Sequence, residues 1–161
     1  MEALIEVKAS SSAGVTQAQW KEHIKRVTIQ IGKLNLLKNT PFQESSALTK
    51  VLKRMRAVDS AWDIQNECRQ KKELDRSCFA NMGMLLWEND VPLFNADYKK
   101  GVDDRIILTA GSSNAQEYAR SYEVDVKMRN EVVYGDGVSR MLSSMSNAVD
   151  DYFSTIGVYL G

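Results

Sequence analysis

Between Trp20 and Trp62 the apolar residues of the chain recur at steps of three and four, and this spacing limits what the chain can fold into more than any other feature. Trp20, Ile24, Val27, Ile31 and Leu34 form one series, and Leu48, Val51, Met55, Val58 and Trp62 form a second. At about 100° of turn per residue each series falls on a single stripe, which a helix buries against a neighbour. Thr16, followed three residues later by Gln19, supplies a start for the first of these helices, because a threonine N-cap and a glutamine at N3 can exchange hydrogen bonds with each other's backbone. The competing sign is VTIQI at 27–31, a β-branched alternation suited to a short strand, with Gly32 behind it. The longer period favours the helix.

Asn39, Thr40 and Pro41 close that element, and a second helix is expected over about 43–68. A third, over about 72–87, places Leu74, Cys78, Met82 and Leu85 inward and stops in the stretch 89–92. Residues 91–111 are the least helical part of the chain, and RIILT at 105–109 is its best internal strand candidate. Such a strand needs a partner for its backbone groups. The candidates are ALIEV at the N-terminus, within an arm or edge strand over 1–14, and residues 92–94. A fourth helix is expected over 111–133, with Ala115, Tyr118, Ala119, Tyr122, Val126 and Val133 inward, and YGDG at 134–137 as a sharp turn after it. The last helix, over about 138–156, carries Met141, Leu142, Met145, Ala148, Val149, Tyr152 and Ile156 on a broad apolar face. The expected fold class is therefore mainly α: a bundle-like domain of four or five helices over 1–161 with a small extended segment.

Length and composition fit that architecture. A chain of 161 residues can enclose one ordinary core, and 43% hydrophobic against 26% charged residues is the balance of a folded chain rather than a disordered one. No apolar run approaches the roughly 20 residues that cross a bilayer, and MEALIEVK lacks the basic head and long apolar stretch of a secretion signal. The expected setting is intracellular, in the cytoplasm or assembled within a viral particle, with no membrane span.

A formal charge of zero conceals an uneven distribution. From Lys8 to Arg76 there are 14 basic and 7 acidic residues, whereas 77–161 holds 7 basic and 12 acidic ones. Such polarity steers an anionic partner or joins unlike faces of neighbouring subunits.

Catalytic constellations are sparse. Acid–base chemistry near neutral pH most often uses histidine, and the chain has one, His23, on the shoulder of the first long helix. The pair Asp150–Asp151 reads as solvated charge, because neighbours on a helix point about 100° apart, and Asp103–Asp104, beside the strand candidate, would hold magnesium only with carboxylates from elsewhere, for which the sequence has no spacing signal. Cys68 and Cys78 read as structural thiols; Cys68, with Arg69, Lys71 and Lys72 close by, is the better candidate for a reactive one. Two cysteines and one histidine make no tetrahedral metal set, and neither a phosphate-binding glycine loop nor a dinucleotide fingerprint is present, so no cofactor is expected.

Two surfaces carry positive arguments. Lys50, Lys53, Arg54 and Arg56 fall opposite the second apolar stripe, where they suit nonspecific contact with nucleic-acid phosphates. Trp20, Trp62, Tyr152 and Tyr159 supply broad aromatic area of the kind that anchors protein interfaces. The leading functional expectation is a noncatalytic structural or assembly protein acting through helical contacts with itself or another protein. A viral structural subunit is one such case. The alternatives are a nucleic-acid-binding assembly protein using the basic face, and a small enzyme with a carboxylate or thiol site.

Overall fold

Thr16 and Gln19 form the expected reciprocal cap. The Gln19 amide donates to Thr16 Oγ1 at 3.2 Å and the Thr16 amide donates to Gln19 Oε1 at 2.9 Å. The computed structural model describes residues 2–71, 76–91 and 135–158. Among them are five helices and no strand: α1 (Glu2–Ala13), α2 (Gln17–Lys33), α3 (Phe42–Gln70), α4 (Arg76–Glu88) and α5 (Gly137–Thr155). The fold is mainly α. The expected extended segment and RIILT strand from residue 92 onward, the helix over 111–133, and Tyr159 all lie outside the described residues.

Residues 1–14 require a correction. They form no edge strand: α1 holds Leu4 and Val7, one helical turn apart, fully buried, while Ile5 between them is exposed. Ser11 and Ser12 lie within α1 and donate their hydroxyls to the carbonyls of Lys8 and Ala9. Gly14, at φ +88°, ends the helix in a conformation that costs a side-chain-bearing residue more.

Three further helices stop through a common geometry. After α2 the amide of Leu36 donates to Ile31 O and that of Asn35 to Gly32 O, with Asn35 at φ 51°. After α5 the amides of Val158 and Gly157 reach Phe153 O and Ser154 O, with Gly157 at φ 77°. Both are Schellman closures, which satisfy the last carbonyls of the helix. After α4, Val91 donates to Leu86 O across Asp90 at φ 55°, and both apolar residues are buried. The sharp turn expected at 134–137 is different: Gly137 is already the first residue of α5.

The chain divides into two compact units, where its length suggested one domain. Unit 1 comprises Met1–Trp62 and Ser139–Gly161, and unit 2 comprises Asp63–Val138. The division falls inside α3.

Unit 1 holds α1, α2, most of α3 and nearly all of α5. Their directions follow from pairs whose residue numbers rise on one helix as they fall on the next. The Ala3 amide meets Gln30 Oε1 and Glu6 meets Arg26, so α1 and α2 are antiparallel. Gln17 meets Asp59 and Trp20 meets Met55, so α2 and α3 are antiparallel. Arg54 meets Ser144, and Glu44 acts electrostatically on Tyr152, so α3 and α5 are antiparallel. Lys8 pairs with Asp150 between α1 and α5. The result is an up-down-up-down four-helix arrangement whose fourth helix comes from the far end of the chain.

The unit 1 core contains most of the expected stripes, but Ile24, Trp62, Leu142 and Ile156 are half-buried, and Leu34, the C-cap of α2, is 55% exposed rather than inward. Val27 and Ile31 of α2, Leu48, Val51, Met55 and Val58 of α3, and Met141, Met145, Ala148, Val149 and Tyr152 of α5 are buried. Phe153 joins them, and Ala57 and Ala61 extend the buried side of α3. In unit 2 the buried residues described are Gln65, Cys68, Met82, Leu86, Asn89, Val91 and Val138.

Candidate interaction surfaces

On α3, Lys50, Lys53 and Arg56 face solvent as expected, but Arg54 does not. Arg54 is only 7% exposed, and its Nη1 donates to the Ser144 carbonyl of α5 at 2.8 Å. At 100° per residue it sits about 60° from Val51, inside the arc that two neighbouring helices cover. Arg54 is thus a tie between α3 and α5, and of the four basic residues expected to contact phosphates only Lys50, Lys53 and Arg56 are exposed. Three other basic residues stand near carboxylates: Lys21 lies 3.9 Å from Asp59, Arg26 lies 3.3 Å from Glu6, and Lys71 lies 3.5 Å from Glu67.

The aromatic set also requires correction. Trp20 is fully buried, and its indole N–H donates to the Met55 carbonyl at 2.9 Å. It is a core residue, because a wide apolar ring with one donor is best buried where a carbonyl can accept from it. Trp62 is half-buried and meets Trp20 edge-on at 6.2 Å between ring centres. Tyr152 is buried and packs at 5.6 Å on Phe153; burial raises its phenol pKa above the usual value, and the Glu44 carboxylate adds to the rise. Of the four aromatics expected at an interface, Trp62 alone among those described has partly exposed area.

The groups considered for catalysis are dispersed. His23 is half-buried and lies edge-on to Trp20 at 6.1 Å, which places it beside the core. Asp150 pairs with Lys8, and both Asp150 and Asp151 are exposed. Cys68 is in a disulfide rather than a thiol, and no free cysteine occurs among the described residues. Among those residues no three His, Cys, Asp or Glu side chains are gathered to hold a metal ion, and no helix is long and apolar enough to cross a membrane. Asp103 and Asp104 lie outside the described residues.

The feature that periodicity does not reveal is one end of the unit 1 helices. The antiparallel order brings together the start of α1, the end of α2, the start of α3 and the end of α5. From the Arg54–Ser144 contact, Phe42 lies about 18 Å back along α3, and Thr155, three residues before Val158, lies about 17 Å forward along α5, so both reach this end. Here Phe42 is 84% exposed, Leu34 55%, Leu37 44% and Val158 43%, and Ile5 and Ile29 are exposed nearby on α1 and α2. Scattered apolar residues are ordinary on a surface, but a gathered set marks a contact site. The sequence signal was the run LNLLKNTPF at 34–42, which the helical stripe does not use beyond Leu34.

At this end Lys33 and Lys38 stand with Glu2 and Glu44, which lie in the first turns of α1 and α3, so its formal charge is balanced. Both lysines are exposed, and neither is paired with a carboxylate among the described residues. Comparison with protein-family models, with curated proteins and with solved structures finds no match to the chain.

Proposed function

We propose that the chain is a noncatalytic structural or assembly protein whose copies associate through exposed surfaces of its helical units, as a subunit of a larger particle does. The observation that carries this reading is the apolar end of unit 1, where Leu34, Leu37, Phe42 and Val158 remain outside a core that is otherwise filled. Removing such area from water is the main driving force of protein association. The charge distribution supports it as well. Unit 1 has 11 basic and 7 acidic residues, net +4, and unit 2 has 10 and 14, net −4. Unlike surfaces of this kind attract one another between copies.

A second reading is favoured by the exposed row of Lys50, Lys53 and Arg56: the assembly also holds nucleic acid by its phosphates. Sedimentation velocity over a hundredfold range of protein concentration, with absorbance at 260 and 280 nm recorded together, tests both. Species larger than 18.1 kDa that grow with concentration are the expected result. A monomer at every concentration sinks the self-assembly reading. Absence of any salt-sensitive oligonucleotide binding sinks the second.

A further inference from the structure

The helix α1 is lightly anchored. It buries only Leu4 and Val7. Counting round the helix from Glu6, Val7 lies at about 100°, Leu4 at about 160° and Lys8 at about 200°. Glu6 pairs with Arg26 of α2 and Lys8 with Asp150 of α5, so Val7 and Leu4 fill the seat between those two helices. Both ion pairs lie at the surface: the Lys8 and Asp150 side chains are 34% and 46% exposed, and those of Arg26 and Glu6 65% and 47%. Exposed pairs of this kind add little to stability, so a helix held by two apolar side chains and surface ties opens locally at small cost. A three-residue connection, Gly14 to Thr16, joins α1 to α2, and Gly14 closes it at φ +88°.

We propose that two copies of this chain exchange α1, each seating its Leu4 and Val7 between α2 and α5 of the other. This rests on the self-assembly reading above and adds a contact that does not use the apolar end, because Gly14 stands at the opposite end of these helices. The occupant is specified by the seat: α1 of one copy already fits it, so α1 of another fits it equally. Every contact is made again in the exchanged pair, and the Lys8–Asp150 and Glu6–Arg26 ties then run between copies. What changes is the connection, which straightens and spans at most about 10 Å, and the freedom lost when two copies become one complex. Exchange is therefore set by protein concentration and by how strongly residue 14 favours the closed turn.

The test uses an equal mixture of unlabelled and heavy-isotope wild type, refolded together from urea so that each α1 is free to take either seat, and then separated by size. A carbodiimide joins the Lys8 amine to the Asp150 carboxylate as an amide, and mass spectrometry reads the linked peptides. In the monomer fraction both halves of a linked pair should carry the same isotope, whereas in the dimer fraction about half of the pairs should be mixed. Gly14→Val adds a side chain that meets open space but disfavours φ +88°, so once a thermal melt shows it folded it should reach the same dimer share at roughly fivefold lower concentration. A dimer whose Lys8–Asp150 links stay unmixed overturns the exchange and leaves self-assembly standing through another surface. A Gly14→Val protein that dimerises no more readily than the wild type overturns the hinge on which the exchange turns. Absence of any Lys8–Asp150 link overturns the seat itself. A wild type that stays monomeric at every concentration overturns the self-assembly reading and this inference with it.

Discussion

Replacing Trp20 tests the unit 1 core most severely, because one side chain joins three kinds of interaction. The ring is fully buried, meets Trp62 edge-on at 6.2 Å, and donates its N–H to Met55 O at 2.9 Å. Truncation to alanine removes the ring and leaves a void, at a cost of about 3–5 kcal/mol. Phenylalanine separates the contributions. It keeps a ring but loses the donor, about 1 kcal/mol, and leaves the smaller part of the void, about another 1 kcal/mol. Trp20→Phe should therefore cost about 2 kcal/mol, roughly half the alanine value. Against a total of about 5–15 kcal/mol, either change is large. Urea titration followed by far-ultraviolet circular dichroism suits the measurement, since fluorescence would lose one of its three tryptophan reporters. The slope with urea must stay constant across the variants, because two units can unfold in separate steps. An alanine cost below about 1 kcal/mol would refute the placement of the ring in the core. Equal costs for alanine and phenylalanine would refute the division between hydrogen bond and void.

Three further outcomes follow from local geometry. Arg54→Met should lower stability by about 1–2 kcal/mol, the loss of a hydrogen bond from a charged donor offset in part by no longer burying a guanidinium, while Lys53→Met stays within about 0.5 kcal/mol; thermal melts of the two variants compare them directly. Gly157→Ala forces a side chain into φ 77° and should cost about 1 kcal/mol by the same assay, whereas a neutral result would refute the closure of α5 through that residue. Burial, aided by Glu44, raises the Tyr152 phenol above 10.0, so ionisation favours the unfolded chain: stability is intact below pH 10 and falls as pH rises beyond it. Tyr152→Phe should lose part of that alkaline decline in melting temperature, and an unchanged decline would refute the assignment.

Much of the helical framework is legible from residue spacing. The Thr16–Gln19 cap, the α2 and α3 stripes and the α5 face follow from local rules of periodicity and capping, which act within a few residues. The sequence is less informative where the answer depends on how many neighbours a helix acquires. Arg54 looks like part of a solvent face if α3 buries one narrow stripe; it is covered because α2 and α5 both pack on that helix. The place of Trp20 on the α2 stripe announces its burial, but the carbonyl that accepts its N–H lies 35 positions away, which no side-chain pattern announces. Lys8 and Asp150 are separated by 142 positions, and nothing local joins α1 to α5. The apolar end was hardest to see, because Leu37 lies in the α2–α3 connection and Phe42 at the first residue of α3, where helical periodicity does not yet sort inside from outside.

The central claim is that the end of unit 1 formed by the α2–α3 connection and the close of α5 becomes covered when copies associate. Amide hydrogen exchange on the wild-type protein, compared between dilute monomer and concentrated assembly, reads this directly. Slowed exchange over 33–44 and 156–158 is the predicted result. Assembly that leaves 33–44 exchanging at the monomer rate, with protection along Lys50, Lys53 and Arg56 instead, would contradict it.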